Sequence, residues 1–406
     1  MIATSRRAFL CSLAATVAAG PAVLAACGGP PVGSRPAGSP AGRLPGRPAA
    51  PGEVPLTVLN DTRRFRDDEV WVHVVGTDPA SGRQVWVTRD GEARPIALED
   101  NAGAGPAAYG TRLSELPVVP LPHLSGRVYV SIGGPLPFRV VGTPDGVGLQ
   151  HPAGWVGSDP SYRLLHDFAE LTSTDAGLWA NTTMVDMFSV PLQLTVEGTS
   201  SRTTGAVVAG GRAQAFAALA ALPASSGLVI DDLRVIAPGH GLDAGRFAPD
   251  HLDAYVAACW ARYETADLVV TTGAGAAVGR AEGQGGPLAF RRDGAVVARI
   301  ARPSTRDVLF CDGALAAPND GVTGPIAAVL GAALNRSTLL AHPDQPTTDP
   351  ATFHPDGAAT NDYVRILHDI TTDGRAYAFA FDDVAERAPL IHDPRPTGLT
   401  LTLTPF

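Results

Sequence analysis

The sequence has 406 residues, a length typical of two to three domains, and with 45% apolar residues it can bury a large core. All 31 basic residues are arginine, which excludes chemistry that needs a lysine amine, such as a Schiff base or a Walker A phosphate loop. The formal net charge of −9 argues against a nucleic acid partner, since phosphate binding needs a basic face.

The first 26 residues resemble an export signal. Arg6 and Arg7 form a twin arginine before a mostly apolar run, a pattern typical of the Tat pathway. The run ends in L-A-A-C, which resembles a bacterial lipobox and makes Cys27 the predicted lipidation site. The alternative is a transmembrane anchor, which Gly20 and Pro21 disfavour in a run of barely spanning length. We predict a signal peptide over 1–26 and a lipoprotein on the outer face of the cell membrane, or an extracellular protein where it is shed.

Residues 27–52 are predicted to form the lipidated cysteine and an extended tether, because this segment is dominated by proline and glycine. Two cysteines, Cys259 and Cys311, remain in the folded part. An extracytoplasmic location permits a disulfide between them, whereas folding before export is compatible with two buried thiols. The sequence leaves both alternatives open.

Residues 53–205 are predicted to form a β domain. The 45 glycines and 36 prolines of the sequence favour turns, and short β-branched or aromatic runs lie between them. These runs predict a sandwich or barrel with strands at 56–59, 69–76, 84–88, 127–132, 138–141 and 192–196.

Residues 206–345 are predicted to form a mixed α/β domain, because helical patterns alternate with short apolar runs. Helices are predicted at 211–222, 251–263 and 325–336, and strands at 233–236, 267–272, 295–300 and 307–310. The tail over 346–406 returns to strict alternation, which predicts strands at 375–383 and 399–406. This order favours an α/β insertion in a mainly β domain.

Several catalytic motifs are absent or weak. The glycine cluster over 267–280 has the spacing G-x-G-x-x-x-G, one residue away from the dinucleotide fingerprint, and a turn is the better interpretation. No G-x-S-x-G pentapeptide is present, and the histidines lack metal-ligand spacing. His368 next to Asp369 is interpreted as a structural histidine. We therefore predict neither a metal nor a cofactor.

The strongest functional signal is the segment 166–194. Glu170, Asp175 and Asp186 stand there among hydroxyl side chains, an amide and the indole of Trp179. Sugar cleavage needs two carboxylates, one to protonate the glycosidic oxygen and one to activate water, and an indole can stack on a sugar ring. The alternative is that these are surface acids on adjacent strands that face the solvent.

This segment resembles the family-64 glycoside hydrolases, which are endo-acting β-1,3-glucanases with a thaumatin-like β domain. The resemblance extends over about 55–406. The matching motifs are E-L-T (170–172), W-A-N-T-T-x-V-D-x-F (179–188), A-A-L-N-R-S-T-L-L (332–340), N-D-Y-V-R-I-L-H (361–368) and D-G-R-A-Y-A-F-A-F-D-D-V (373–384).

The resemblance implies a thaumatin-like β-sandwich or barrel with an inserted α/β domain and a wide groove between them. It implies that Glu170 is the general acid and Asp186 the general base of an inverting single displacement on β-1,3-glucan. It also implies substrate contacts for the set Thr172, Trp179, Thr183, Asp382 and Asp383. We expect a monomer that touches the membrane only through its lipid. A glucan-binding lipoprotein without catalysis is the alternative.

Overall fold

The computed structural model describes residues 46–103, 105–144 and 146–406. The predicted signal peptide, Cys27 and the tether up to residue 45 lie outside the described residues. Among the residues that it describes, no helix combines the length and the apolar character needed to cross a bilayer.

A five-stranded sheet, the first sheet, joins strands from distant parts of the chain. Its spatial order is Arg202–Thr204, Leu192–Glu197, Gly398–Leu403, Val54–Asn60 and Val119–Leu121. The strand Gly398–Leu403 is central, since it runs parallel to Val54–Asn60 and antiparallel to Leu192–Glu197. Its alternation L-T-L-T-L buries every leucine on one face and leaves the threonines between them on the other.

An eight-stranded antiparallel sheet, the second sheet, carries most of the predicted site. Its strands in spatial order are Leu390–Asp393, Gly177–Thr182, Leu165–Thr174, Leu124–Ile132, Val70–Thr77, Gln84–Val87 and Ala93–Pro95, with Gly110–Arg112 paired beside Val70–Thr77. The hairpin formed by Leu165–Thr174 and Gly177–Thr182 turns at Asp175, whose side chain is fully exposed.

The first and second sheets pack face to face around one apolar core. Alternate residues of the second sheet, such as Val72, Val130 and Leu171, join Leu56 and Leu401 of the first sheet in this core. Packed sheets of this kind bury one face of each strand and leave the other face for different contacts. The other face of the second sheet is therefore the one that can carry polar side chains.

The rest of the chain adds smaller sheets. A third sheet of five strands has the order Ala295–Ile300, Leu288–Arg292, Gly275–Ala281, Leu268–Thr272 and Asp344–Gln345. A small three-stranded sheet has the order Met187–Phe188, Arg234–Ile236 and Val229–Ile230. The strands Arg139–Thr143 and Gly146–Gln150 pair with each other. The strands Leu268–Thr272 and Gly275–Ala281 form an antiparallel hairpin, which confirms that the glycine cluster is a turn.

The α-helices of the described residues are Gly211–Ala221, Pro238–Asp243, Asp253–Arg262, Thr305–Phe310, Thr323–Asn335 and Asp362–Asp369. The helix Thr323–Asn335 is buried along nearly its whole length, as its apolar, alanine-rich sequence requires. A side chain at Gly331 would meet Phe381 at 3.0 Å, so the glycine allows close packing there. The helix Asp362–Asp369 packs with Gly211–Ala221 in a core separate from the one between the two large sheets. The domain boundaries predicted at 205 and 345 stay predictions.

The mainly β fold class and most predicted elements are confirmed. Two strand predictions are wrong. The run 307–310 lies in the helix Thr305–Phe310, which Ser304 caps by accepting a hydrogen bond from the backbone N–H of Asp307. The segment 375–383 is irregular and ends in turns: the N–H of Asp382 donates to the carbonyl of Phe379, and the carbonyl of Tyr377 accepts a single hydrogen bond from the N–H of Met184.

Cys259 and Cys311 are both buried free thiols, so the structure has the second of the two alternatives. Burial raises the pKa of the Cys259 thiol to about 12.

Candidate active site

Three polar residues line up across the second sheet. Glu170 stands opposite Arg127 on one neighbouring strand and opposite Asn181 on the other. Their strand neighbours Val128, Ala169 and Ala180 belong to the core between the sheets. Since side chains alternate along a strand, the row of Arg127, Glu170 and Asn181 lies on the opposite face, away from that core.

Arg127 is the centre of this row. Its Nε and Nη2 atoms both donate to Oε1 of Glu170 at 3.2 Å, and Nη2 also lies 3.8 Å from Oδ2 of Asp186. The guanidinium is held in place by the ring of Phe168, 3.7 Å below it, and by Tyr129, whose hydroxyl accepts from Nη1 at 2.8 Å. Burial opposes its charge, but Tyr129 and the two carboxylates outweigh that effect and raise the pKa of Arg127.

Asp186 reaches the row from a loop rather than from a strand. It lies between the strands Gly177–Thr182 and Met187–Phe188, and its carbonyl accepts from the N–H of Ala237 at 3.0 Å. Its Oδ1 atom lies 3.0 Å from Nε2 of His240, at the start of the helix Pro238–Asp243. The site therefore forms where the second sheet meets this helix.

The structure brings the two predicted catalytic carboxylates together. Oε1 of Glu170 and Oδ2 of Asp186 contact the same Arg127 nitrogen at 3.2 and 3.8 Å, so these oxygens are no more than about 7 Å apart. Their side chains keep 19% and 22% of their surface exposed. Nδ2 of Asn181 donates to the other oxygen of Glu170 at 3.5 Å. Two partly exposed carboxylates at this separation can act as an acid and a base on one bond.

A second row runs beside the first on the same face. Thr172 stands opposite Trp179, and Trp179 stands opposite His392. The hydroxyl of Thr172 lies 3.1 Å from that of Ser125, and the rings of Trp179 and His392 stack with centroids 4.2 Å apart. Thr172 and Trp179 are half-buried, so this row offers a hydroxyl and an aromatic surface next to the carboxylates.

Thr183 is nearly buried, and its hydroxyl accepts from the N–H of Val185 at 3.4 Å, so it shapes the loop that carries Asp186. A substrate contact for Thr183 stays a prediction.

Asp382 does not face the site as the resemblance implies. It has no exposed surface, pairs with Arg336 at 2.9 Å and accepts from His368 at 2.9 Å. The interpretation of His368 as a structural histidine is confirmed, with Asp382 rather than Asp369 as its partner. Asp383 is half-buried, and burial raises its pKa to about 6.

Sequence reasoning missed two residues of this site, Arg127 and His240. Arg127 opens a predicted strand, where a basic residue in a row of valines is the only signal of a special role. His240 is one of the histidines that lack metal-ligand spacing, and the sequence around it gives no other signal. Among the described residues, no group of three histidine, cysteine or acidic side chains could hold a metal ion.

A pair of carboxylates on one face of a sheet, with hydroxyl and aromatic side chains beside it, is typical of the active site of a glycoside hydrolase. The sequence profile of the β-1,3-glucanases, glycoside hydrolase family 64, matches residues 52–403. The chain belongs to this family.

Relatives and solved structures agree with that assignment. A glucan endo-1,3-beta-glucosidase of Cellulosimicrobium cellulans is 35% identical, over 88% of this chain and 66% of its own length. A laminaripentaose-producing β-1,3-glucanase, solved in complex with laminaritetraose, is 34% identical with a TM-score of 0.77, over 88% of this chain and 99% of that structure. A β-1,3-glucanase domain from Clostridium beijerinckii is 29% identical with a TM-score of 0.79 over the same shares. The chain spans about two thirds of the length of the curated relatives.

Proposed function

We propose that the protein hydrolyses internal β-1,3-glucosidic bonds of β-1,3-glucan by a single displacement, with Glu170 as general acid and Asp186 as general base. The observation that carries this proposal is the pair of carboxylates on one guanidinium, no more than about 7 Å apart. Family membership and the names of the relatives support the reaction and the polymer.

The reaction uses one proton on the carboxylate pair. Arg127 contributes one positive charge against two carboxylates, so a single bound proton makes the trio neutral. Glu170 gives this proton to the glycosidic oxygen as the bond from that oxygen to the anomeric carbon breaks. A water molecule forms the new bond to the anomeric carbon, and Asp186 takes the proton that this water loses.

Inversion at the anomeric carbon is supported by the family resemblance. Inverting enzymes place their carboxyl groups ~6.5–9.5 Å apart and retaining enzymes ~5–5.5 Å apart, and the limit of about 7 Å admits both separations. Proton NMR of the first product formed from laminarin reports the outcome. An α-anomer is expected, and a β-anomer would overturn the single displacement.

Glucose units adjacent to the cleaved bond would contact the second row of the sheet. Thr172 offers a hydroxyl and Trp179 an indole face on the same side as Glu170. Aromatic rings bind sugars through the apolar face of the pyranose, and hydroxyls fix its orientation. Asp383 and Thr183 complete the contacts that the resemblance implies.

Substitution of the two carboxylates tests the assignment. Glu170→Gln and Asp186→Asn should each lower reducing-sugar release from laminarin by 10²–10⁴-fold or more, because a general acid or base typically contributes that much. Both variants should keep the wild-type melting temperature and bind laminarin.

Asp175→Asn is the matched control, since Asp175 lies in the same segment on an exposed turn. It should cleave laminarin at the wild-type rate. An inactive Asp175→Asn together with an active Glu170→Gln or Asp186→Asn would show that the wrong carboxylates were chosen. A wild-type protein that binds laminarin and releases no reducing sugar would be a glucan-binding protein instead.

We further propose that the enzyme acts as a monomer at the outer face of the cell membrane or outside the cell. A site built from one chain supports the first part of this proposal. The location is supported by three features of the sequence: the twin arginine at Arg6 and Arg7, the L-A-A-C run that ends at Cys27, and the tether that follows it.

A further inference from the structure

His240 is held in one orientation beside Asp186. Its ring stacks on Trp155 with centroids 4.3 Å apart and an interplanar angle of 17°, and the ring of Phe310 lies nearly perpendicular to it with centroids 5.8 Å apart. The side chain is only 15% exposed, and its Nε2 atom lies 3.0 Å from Oδ1 of Asp186. A ring held between two aromatic side chains can aim one nitrogen at one oxygen.

The direction of this hydrogen bond follows from the partner. An ionised carboxylate only accepts hydrogen bonds, so Nε2 of His240 must carry the hydrogen. Donation to Oδ1 leaves Oδ2 as the oxygen turned toward Arg127 and the acid Glu170. The backbone of the same loop is tied to Ala237, three residues before His240.

We propose that His240 is a positioning residue of the hydrolytic reaction, which fixes the carboxylate of Asp186 by donating from Nε2 to Oδ1 and so directs Oδ2 toward the attacking water. This inference rests on the proposed role of Asp186 as general base.

Loss of the hydrogen bond from His240 to Asp186 should change both kcat and its pH dependence. A misplacement of about 1 Å in a catalytic group can cost about 10²-fold in rate. A donated hydrogen bond also favours the ionised carboxylate that a base needs, so its loss should move the acidic limb of the kcat profile to higher pH. Among the described residues, Arg127 and Tyr363 interact with Asp186 and Glu170 does so through Arg127, while Asp243 and Arg306 pair on the helices that carry His240 and Phe310; the variants below substitute none of these five.

Three variants separate positioning from a structural role. His240→Phe keeps a ring on Trp155 and removes the donor, and it should lower kcat on laminarin about 10²-fold with KM within about threefold. His240→Gln places an N–H donor near the same position and should restore kcat to within about tenfold of wild type. His251→Phe is the matched control, because His251 also packs on an aromatic ring, Phe247, and bonds only a backbone carbonyl of Thr360. It should leave kcat and the pH profile unchanged.

Unchanged kcat and an unchanged acidic limb in His240→Phe would overturn the inference, as would equal losses in the Phe and Gln variants. Nitrogen-15 NMR of the folded wild-type protein gives an answer that does not depend on the folding of any variant. The His240 signal, assigned in the wild-type protein by through-bond correlation with its own backbone, should show hydrogen on Nε2, and hydrogen on Nδ1 alone would also overturn the inference. An active Asp186→Asn would instead remove the proposed function itself.

Discussion

Asp382 and Asp383 are neighbours in the chain with opposite surroundings. Asp382 is fully buried between Arg336 and His368, whereas Asp383 is half-buried. Burial alone would favour the neutral acid, but His368 and Arg336 outweigh it and hold the pKa of Asp382 at about 2. The stabilisation from Asp382 is thus present above the unfolded pKa of ~3.9 and is lost as pH falls through about 2.

Asp382→Asn should therefore act on stability. Removing one partner of a buried ion pair leaves an uncompensated charge on Arg336 and costs about 3–5 kcal/mol in the free energy of unfolding at neutral pH. Urea denaturation measures this loss. KM for laminarin should stay near the wild-type value, and a large rise in KM at normal stability would show that Asp382 contacts glucan after all.

Asp383→Asn is the matched comparison at the next position. The pKa of Asp383 is raised to about 6, so its folded form loses stability as pH rises through that value. Asp383→Asn should remove this loss, and the stability difference between pH 5 and pH 8 should be smaller than in wild type. A larger difference in the variant would contradict this.

The chemistry of the site could be predicted from residues close in sequence, and its supporting contacts could not. Glu170, Thr172 and Trp179 lie within one hairpin, so one segment contains them all. Arg127 is 43 residues away from Glu170, and His240 is 54 residues away from Asp186. Such contacts depend on sheet order and on loop placement, which local patterns do not encode.

At the scale of elements, the pattern of apolar residues predicts a strand correctly where the apolar face of that strand also packs into the core. The alternation in 399–406 predicts the strand Gly398–Leu403 because one of its faces enters the core. The similar alternation in 375–383 fails, since Asp382 turns inward to a buried ion pair and its N–H bonds the carbonyl of Phe379 in a turn. The run 307–310 shows that three apolar residues after an aspartate fit a helix as well as a strand.

The central strand of the first sheet should tolerate change on only one face. Leu401→Ala removes a fully buried side chain and should cost about 2–5 kcal/mol in the free energy of unfolding. Thr402→Ala changes the next residue on the half-buried face and should cost less than about 1 kcal/mol. Urea denaturation compares them, and similar losses would contradict the burial of one face.

At the scale of the whole molecule, Cys27→Ser tests the predicted anchor. Stable attachment takes more than one acyl chain, which a lipidated cysteine of a lipoprotein provides, so the variant should leave the membrane fraction or accumulate unprocessed. Cys11→Ser, in the predicted signal peptide, is the control and should fractionate like wild type. A Cys27→Ser variant that is processed normally and still partitions with membranes like wild type would refute lipidation at this cysteine.

The central position of Gly398–Leu403 also fixes an order of events in the cell. Its two neighbouring strands, Val54–Asn60 and Leu192–Glu197, are synthesised far earlier, and neither can complete its pairing until the ribosome has added residue 403. Pairing across such sequence distances is slow and leaves strand edges open meanwhile. The first sheet therefore closes only after residue 403 has been made, and a translocase that accepts folded cargo, the kind that Arg6 and Arg7 predict, would suit this late closure.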